Sequence, residues 1–75
     1  MRKYDGVFVI AVTSTAITQI EYDELSQELI VTFTSARTYT YYGVPRDLYV
    51  QFLRAESKGQ FFNEYIRDRY RYSEN

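Results

Sequence analysis

Arginine and tyrosine side chains alternate near the end of the chain, where they could contact a nucleic acid. Arg67, Arg69 and Arg71 are interleaved with tyrosines between residues 65 and 72. Arginines neutralise phosphates, and exposed tyrosine rings stack on unpaired bases. A second interpretation is also open, in which Asp68 cancels part of this charge and the arginines favour the dipole of a helix end. The candidate residues for nucleic-acid binding are Arg37, Tyr42, Lys58, Arg67, Arg69, Arg71 and Tyr72.

Two more tyrosines, Tyr39 and Tyr41, occupy alternate positions in a segment rich in Thr. On an exposed sheet face, rings spaced in this way could stack on unpaired bases. Alternatively, both rings pack beneath helices. We favour packing, because a small domain without disulfides needs its aromatic residues inside. Tyr42 would then be the exposed ring on the opposite face.

The segment Ser57-Lys58-Gly59 could bind an anion at the start of a helix, with Lys58 adding charge. It could also act simply as a cap, because the Ser57 side chain can accept from the backbone amide of Gln60 and the Gln60 side chain can reach back. We favour capping, since the spacing of a phosphate-binding loop is missing.

The composition gives little support to catalysis or metal binding. The 75 residues contain no Cys and no His, which removes disulfides, thiolate and imidazole ligands, cysteine nucleophiles and the most common general base. Glu21, Asp23 and Glu24 are close in sequence, but no second ligand cluster accompanies them. We therefore predict a protein that is not an enzyme and has no metal site and no cofactor.

Charge and hydropathy bear on two further classes of protein, which are strongly basic nucleic-acid binders and membrane proteins. The net charge of −1 gives no overall attraction to nucleic acid or to an anionic membrane. The longest apolar run, residues 7–12, is far shorter than the ~20 residues of a membrane-spanning helix. We expect a soluble cytoplasmic protein without membrane contact.

The hydrophobic spacing predicts strands before Pro45. Ala16, Thr18, Ile20 and Tyr22 alternate, as do Leu29, Val31 and Phe33, which predicts two half-buried strands joined in a hairpin. A third strand is predicted over residues 37–42, after a tight connection at residues 35–36 that lacks the Asn or Gly of a favourable turn.

After Pro45 the spacing becomes helical. Leu48, Tyr49, Phe52 and Leu53 form one apolar stripe, so a first helix is predicted from Pro45 to about Ala55. A second helix follows Ser57, with Tyr65 and Ile66 expected in the core. The predicted fold class is α+β, an antiparallel three-stranded meander followed by two helices packed on one face.

The apolar run over residues 7–12 does not fit this plan. It could form an additional or edge strand, an arm that crosses the sheet edge, or a segment that pairs with a second copy of the chain to make a homodimer.

Five segments in order resemble the KTSC domain, a small domain known from the C-terminus of some lysyl-tRNA synthetases and from stand-alone bacterial and phage proteins. These segments are residues 12–17, 20–23, 29–33, 39–45 and 55–63, and Ile66-Arg67 follows them. The resemblance covers roughly residues 12–70. The residues that match the family signature, which we expect to be structural, are Tyr39, Tyr41, Gly43, Val44, Pro45, Ser57, Gly59, Phe62 and Asn63.

The resemblance implies RNA binding only through its synthetase context. We predict an extension or edge strand at residues 1–11, one KTSC-like domain at residues 12–72 and a tail at residues 73–75. The function predicted is a non-catalytic binding module for RNA or single-stranded nucleic acid. The alternative is a protein-interaction module, such as an accessory protein of a phage or mobile element that acts on a host protein.

Overall fold

A computed structural model describes residues 2–4, 7–11 and 14–75 of the chain. This part contains six strands and two helices. In chain order they are β1 (Arg2–Tyr4), β2 (Val7–Ala11), β3 (Ile17–Asp23), β4 (Glu28–Phe33), β5 (Thr38–Tyr41), α1 (Arg46–Arg54), α2 (Lys58–Tyr65) and β6 (Tyr72–Glu74).

The strands form one antiparallel sheet in the order β1-β2-β3-β4-β5-β6. Each strand therefore pairs with its neighbour in sequence, and the two helices are inserted between β5 and β6. The α+β class and the meander followed by two helices are confirmed. The described sheet is larger than predicted, because β1 extends one end and β6 returns beside β5 at the other.

The apolar N-terminal run lies inside the sheet. Strand β2 pairs on one side with β1 and on the other with β3. It is thus an additional strand, as one prediction proposed, but β1 rather than β2 forms the edge. Val12, the last residue of the run, lies outside the described residues. A homodimer through this segment stays a prediction, and strand pairing in such a dimer would have to use β1.

Strand β3 contains an irregularity near Thr18. Its register with β4 shifts between Ile17 and Gln19. Ile17 is consequently buried, like Ile20 and Tyr22, whereas Thr18 is exposed. The prediction that Thr18 shares a face with Ile20 and Tyr22 is wrong, because the extra residue of a bulge reverses the alternation of side chains.

The core lies between one face of the sheet and the two helices. Strands β3, β4 and β5 contribute alternate residues to it, and the helical segment contributes an apolar stripe. The buried hydrophobic residues are Ile17, Ile20, Tyr22, Leu29, Val31, Tyr41, Val44, Tyr49, Phe52, Phe62 and Ile66. The helix stripe predicted from the spacing is confirmed, with Tyr49 and Phe52 buried and Leu48 and Leu53 packed around them.

Local signals decide where the helices begin. Pro45 is the N-cap of α1, one residue earlier than the first-turn position predicted for it, and its carbonyl accepts from the Leu48 amide at 3.1 Å. Ser57 is the N-cap of α2, and its hydroxyl accepts from the Gln60 amide at 3.2 Å. Capping by Ser57 is therefore confirmed.

The connection between β4 and β5 has an unusual backbone. Ala36 has φ of +72°, a left-handed conformation that disfavours residues with a Cβ. The amide of Ala36 donates to the carbonyl of Phe33, and the amide of Phe33 donates to the carbonyl of Arg37, both at 2.9 Å. These bonds close the tight connection predicted at residues 35–36 although Gly is missing from it.

Candidate functional site: an aromatic groove beside the edge of the sheet

A groove of about 600 Å³ lies between the β5–β6 end of the sheet and the segment around the end of α2. We call it the aromatic groove. Its volume falls within the usual range of small-ligand sites. It is lined by Thr15, Ala16, Phe33, Thr34, Ser35, Arg37, Tyr39, Tyr41, Phe62, Asn63, Arg67, Asp68 and Tyr72.

The floor of the groove is a set of aromatic rings in edge-to-face contact. Phe62 meets Phe33 and Tyr41, each with ring centres 5.2 Å apart. Phe33 meets Tyr39 at 5.7 Å. An edge-to-face contact places the positive edge of one ring against the negative face of the other. These contacts therefore stabilise the floor by more than the burial of apolar area alone would.

Strand register brings the tyrosines of β5 and β6 onto this face. Tyr41 pairs with Tyr72, and Tyr39 pairs with Glu74. Their ring centres lie 5.4 Å apart for Tyr41 and Tyr72, and 5.9 Å apart for Tyr39 and Tyr72. Tyr41 is 4% exposed and Tyr72 is 58% exposed, so the groove passes from a buried ring to an accessible one. Packing of Tyr41 in the core agrees with the interpretation favoured above, whereas Tyr39 is half-buried.

Residues 73–75, which the sequence predicted as a tail, take part in this arrangement. Ser73 and Glu74 belong to β6, and the Asn75 amide donates to the Thr38 carbonyl at 2.8 Å. The Asn75 side chain also accepts from the Thr40 hydroxyl at 3.1 Å. The division of the chain into an extension, a domain and a tail stays a prediction, but residues 73–75 are held against β5.

The charged rim of the groove is formed by Arg37, Arg67 and Asp68. Arg37 lies 4.0 Å from the carboxylate of Glu74, and both side chains are at least half exposed. The pKa of Arg37 is raised above its usual range, first by the Tyr39 hydroxyl and then by the Glu74 carboxylate. The lining residues Arg37, Arg67 and Asp68 sum to a net charge of +1, which the Glu74 carboxylate beside Arg37 partly offsets.

A turn after α2 positions Arg67 and Asp68. The amides of Ile66 and Arg67 both donate to the Phe62 carbonyl, at 3.0 and 2.9 Å. Ile66 is fully buried and thus anchors the turn against the core. The adjacent Arg67 and Asp68 side chains are exposed at the groove.

The remaining candidate residues lie outside the groove. The hydroxyl of Tyr42 forms a hydrogen bond of 2.7 Å with that of Ser73, and Tyr42 is exposed, as predicted. The side chain of Arg69 donates to the Glu64 carbonyl at 3.2 Å. The backbone carbonyl of Arg71 accepts from the Tyr42 amide at 2.9 Å, and the Arg71 side chain is exposed. Their roles in binding stay predictions.

Lys58 borders a different, smaller hollow. This hollow is lined by Ser14, Thr15, Glu56, Ser57 and Lys58. The Lys58 ammonium donates to the Ala55 carbonyl at 2.9 Å, which neutralises the end of α1 instead of filling the hollow. Lys58 is not among the residues that line the aromatic groove, although Thr15 lines both depressions.

Among the remaining signature residues, Gly43, Val44 and Gly59 have structural positions. Gly43 has φ of +76°, and a Cβ built there would meet no atom within 4 Å, so its backbone conformation explains the glycine. Val44 is fully buried, and its carbonyl accepts from the hydroxyl of Tyr22 at 2.6 Å. A Cβ built at Gly59 would lie 3.4 Å from the Cβ of Ala16, so Gly59 is close to that side chain. Asn63 is exposed and lines the groove.

Tyr65 differs from its prediction. It is 45% exposed, although it was expected in the core with Ile66. Phe62 and Ile66 are four residues apart and form the stripe that faces the sheet. Tyr65 lies on the neighbouring stripe, where its ring contacts Phe61 with centres 4.8 Å apart.

Burial controls the protonation of two core tyrosines. Loss of solvent raises the pKa of Tyr41 to about 12 and that of Tyr49 to about 12, because the charged phenolate is poorly solvated there. The hydroxyl of Tyr41 therefore stays protonated to a higher pH than that of an exposed tyrosine.

Within the described ranges, no group of three or more Asp, Glu, His or Cys side chains is arranged to hold a metal ion. No helix in this part of the chain is long and apolar enough to cross a membrane.

Other proteins resemble this chain in sequence and in fold. A profile of the KTSC domain matches residues 13–70. A protein of Tsukamurella paurometabola is 42% identical over 60 residues, which cover 80% of this chain and 90% of that protein. A lysine–tRNA ligase of Nostoc punctiforme is 32% identical over 60 residues, which cover 80% of this chain but 11% of the ligase.

A solved structure extends the comparison to the fold. The crystal structure of a KTSC domain protein from Yersinia pestis matches with a TM-score of 0.88 and 32% identity, covering 92% of this chain and 97% of that one. The resemblance noted from the sequence segments is thereby confirmed. The chain belongs to the KTSC domain family.

Proposed function

We propose that the protein is a small non-catalytic module that binds single-stranded RNA in the aromatic groove. The observation that carries the proposal is that Arg37, Arg67 and the exposed ring of Tyr72 line one groove. These groups come from separate parts of the chain. Phosphate neutralisation by arginine combined with stacking on an aromatic ring is how proteins hold unpaired nucleotides.

The size and charge of the groove favour a short single strand over a duplex. Its lining carries a net charge of +1, whereas duplex binders use a broad basic stripe. An accessible ring such as Tyr72 can stack only on a base that is not paired. Similarity to a lysine–tRNA ligase, an enzyme that by name acts on tRNA, supports RNA as the nucleic acid. A cytoplasmic location stays a prediction.

Salt-dependent titration tests the proposal. We expect labelled single-stranded RNA to bind more tightly at low salt than duplex RNA of the same length. Two phosphate contacts give a slope of log affinity against log salt of about −1.4, since each contact on a single strand contributes about 0.7. Arg37→Gln and Arg67→Gln should each reduce the slope by about 0.7. Arg54→Gln is the matched control, because Arg54 is exposed in the last turn of α1 and is not among the groove residues.

Two results would contradict RNA binding in the groove. If single-stranded RNA does not bind at low salt, or if the Arg54 variant changes the slope as much as the groove variants, the groove is not an RNA site. Affinity purification with and without nuclease then tests the alternative, a protein-interaction module. A partner that remains after nuclease treatment would support that alternative.

A further inference from the structure

Asp68 is the acidic residue among the groove-lining residues that the structure describes. A carboxylate in a groove for a polyanion repels phosphates, so its presence weakens contact with the RNA backbone. Phosphates at this site are therefore directed toward Arg37 and Arg67. An exposed carboxylate in the same groove is suited to accept hydrogen bonds from the edge of a base.

We propose that the groove selects guanine and that Asp68 is the residue that recognises it. This inference rests on the proposed function. An ionised carboxylate only accepts hydrogen bonds, and its two oxygens can accept two parallel bonds. Among the four RNA bases, guanine presents two adjacent donors on its Watson–Crick edge, N1–H and the amino group at position 2.

The other bases place acceptors where a carboxylate needs donors. Adenine and cytosine have an amino group beside an unprotonated ring nitrogen, and uracil has one N–H between two carbonyl oxygens. In each case one carboxylate oxygen of Asp68 would face an acceptor. Reading of the Watson–Crick edge is available because the bases of a single strand are unpaired.

The position of Asp68 suits this role. It follows directly after Arg67, whose amide is held by the Phe62 carbonyl at 2.9 Å, and after the fully buried Ile66. Tyr72 lines the same groove and is 58% exposed, and ring contacts with Tyr39 and Tyr41 fix its place. A base stacked on Tyr72 would therefore lie in a groove that also contains a carboxylate on a turn anchored in the core.

The test uses uridine oligomers that carry one central guanosine, inosine, adenosine or uridine, with fluorescence anisotropy of the labelled RNA as the readout. Inosine lacks the amino group at position 2 but retains N1–H, so it presents one of the two donors. We expect guanosine to bind about tenfold more tightly than uridine, which is the discrimination that a good bidentate contact provides. Inosine should lie between them.

Variants of Asp68 separate recognition of the base from general binding. Asp68→Asn should abolish the preference for guanosine and leave the affinity for the uridine oligomer unchanged or higher, because repulsion of phosphate is removed. Asp68→Glu retains the carboxylate and should retain part of the preference. Asp47→Asn is the matched control in the first turn of α1, away from the groove-lining residues, and should change neither affinity.

Each outcome distinguishes the two proposals. If the wild-type protein binds all four oligomers equally, or if Asp68→Asn weakens all of them equally, guanine selection is wrong and RNA binding in the groove stands. If no oligomer binds the wild-type protein, the RNA-binding function is overturned and guanine selection with it. Unchanged thermal unfolding of the Asp68 variants shows that the fold is retained.

Discussion

The hydroxyl of Tyr22 donates a hydrogen bond of 2.6 Å to the carbonyl oxygen of Val44, and both residues are fully buried. This bond joins strand β3 to the connection between β5 and α1, which are far apart in the chain. The Tyr22 ring also stacks on Tyr49 of α1, with ring centres 4.4 Å apart and planes at 11°. One tyrosine thus links the sheet, the turn and the first helix.

Removal of the Tyr22 hydroxyl should destabilise the fold. Tyr22→Phe retains the ring and the stack but leaves the buried Val44 carbonyl without this donor, which costs about 1–3 kcal/mol. Urea unfolding measures the loss. Tyr42→Phe is the control, because the bond between Tyr42 and Ser73 is exposed, and it should cost less than about 0.5 kcal/mol. Equal stabilities of the two variants would contradict the role of the buried bond.

Two backbone positions with positive φ should respond in opposite directions. Gly43→Ala should destabilise the protein by about 1 kcal/mol, because φ of +76° is unfavourable for a residue with a Cβ although space is available there. Ala36→Gly should stabilise it by up to about 1 kcal/mol, since Ala36 has φ of +72°. Thermal unfolding of both variants checks the pair. A stabilising Gly43→Ala would show that the turn can adopt another conformation.

Stability should fall in alkaline solution because the folded protein retains the protons of two buried tyrosines that the unfolded chain releases. The pKa values of Tyr41 and Tyr49 are about 12 in the folded protein, against about 10 in an unfolded chain. Between pH 10 and 12 the unfolded state releases protons that the folded state retains, so the free energy of unfolding decreases as pH rises. Below pH 10 both states bind the proton, and these residues contribute no pH dependence.

Tyr41→Phe should make this alkaline slope shallower by about one proton per molecule. Tyr42→Phe is again the control, because Tyr42 is exposed. Urea unfolding at several pH values gives the slopes directly. An identical slope for wild type and Tyr41→Phe would show that the Tyr41 proton is not retained by the folded state.

Arg37, at the groove rim, should contribute little to the stability of the fold. Arg37 and Glu74 form an exposed ion pair at 4.0 Å, and such pairs contribute about 0–1 kcal/mol. Arg37→Gln should therefore change the free energy of unfolding by less than about 0.5 kcal/mol while it weakens RNA binding. A loss of several kcal/mol would instead make Arg37 a structural residue, and its effect on binding would have to be measured at matched folded fractions.

Several elements could be predicted from the sequence because their signals are local. The change of hydrophobic period near Pro45 separated strands from helices, and the Ser57 cap marked the start of α2. The burial of Tyr41 followed from the need of a small domain for aromatic packing. By contrast, β6 has three residues, too few for a periodic pattern, and the shift at Thr18 depends on the partner strand.

The sequence by itself determined the α+β class, the order of the main elements and the supply of arginines and tyrosines. The tertiary structure decided which of them meet. Arg37 precedes β5, Arg67 follows α2 and Tyr72 begins β6, and only the pairing of β6 with β5 beside the end of α2 brings them to one groove. The physical reason is that the hydrophobic spacing of a helix or strand depends on residues close together in the sequence. A groove depends instead on register and packing between segments that are distant in the chain.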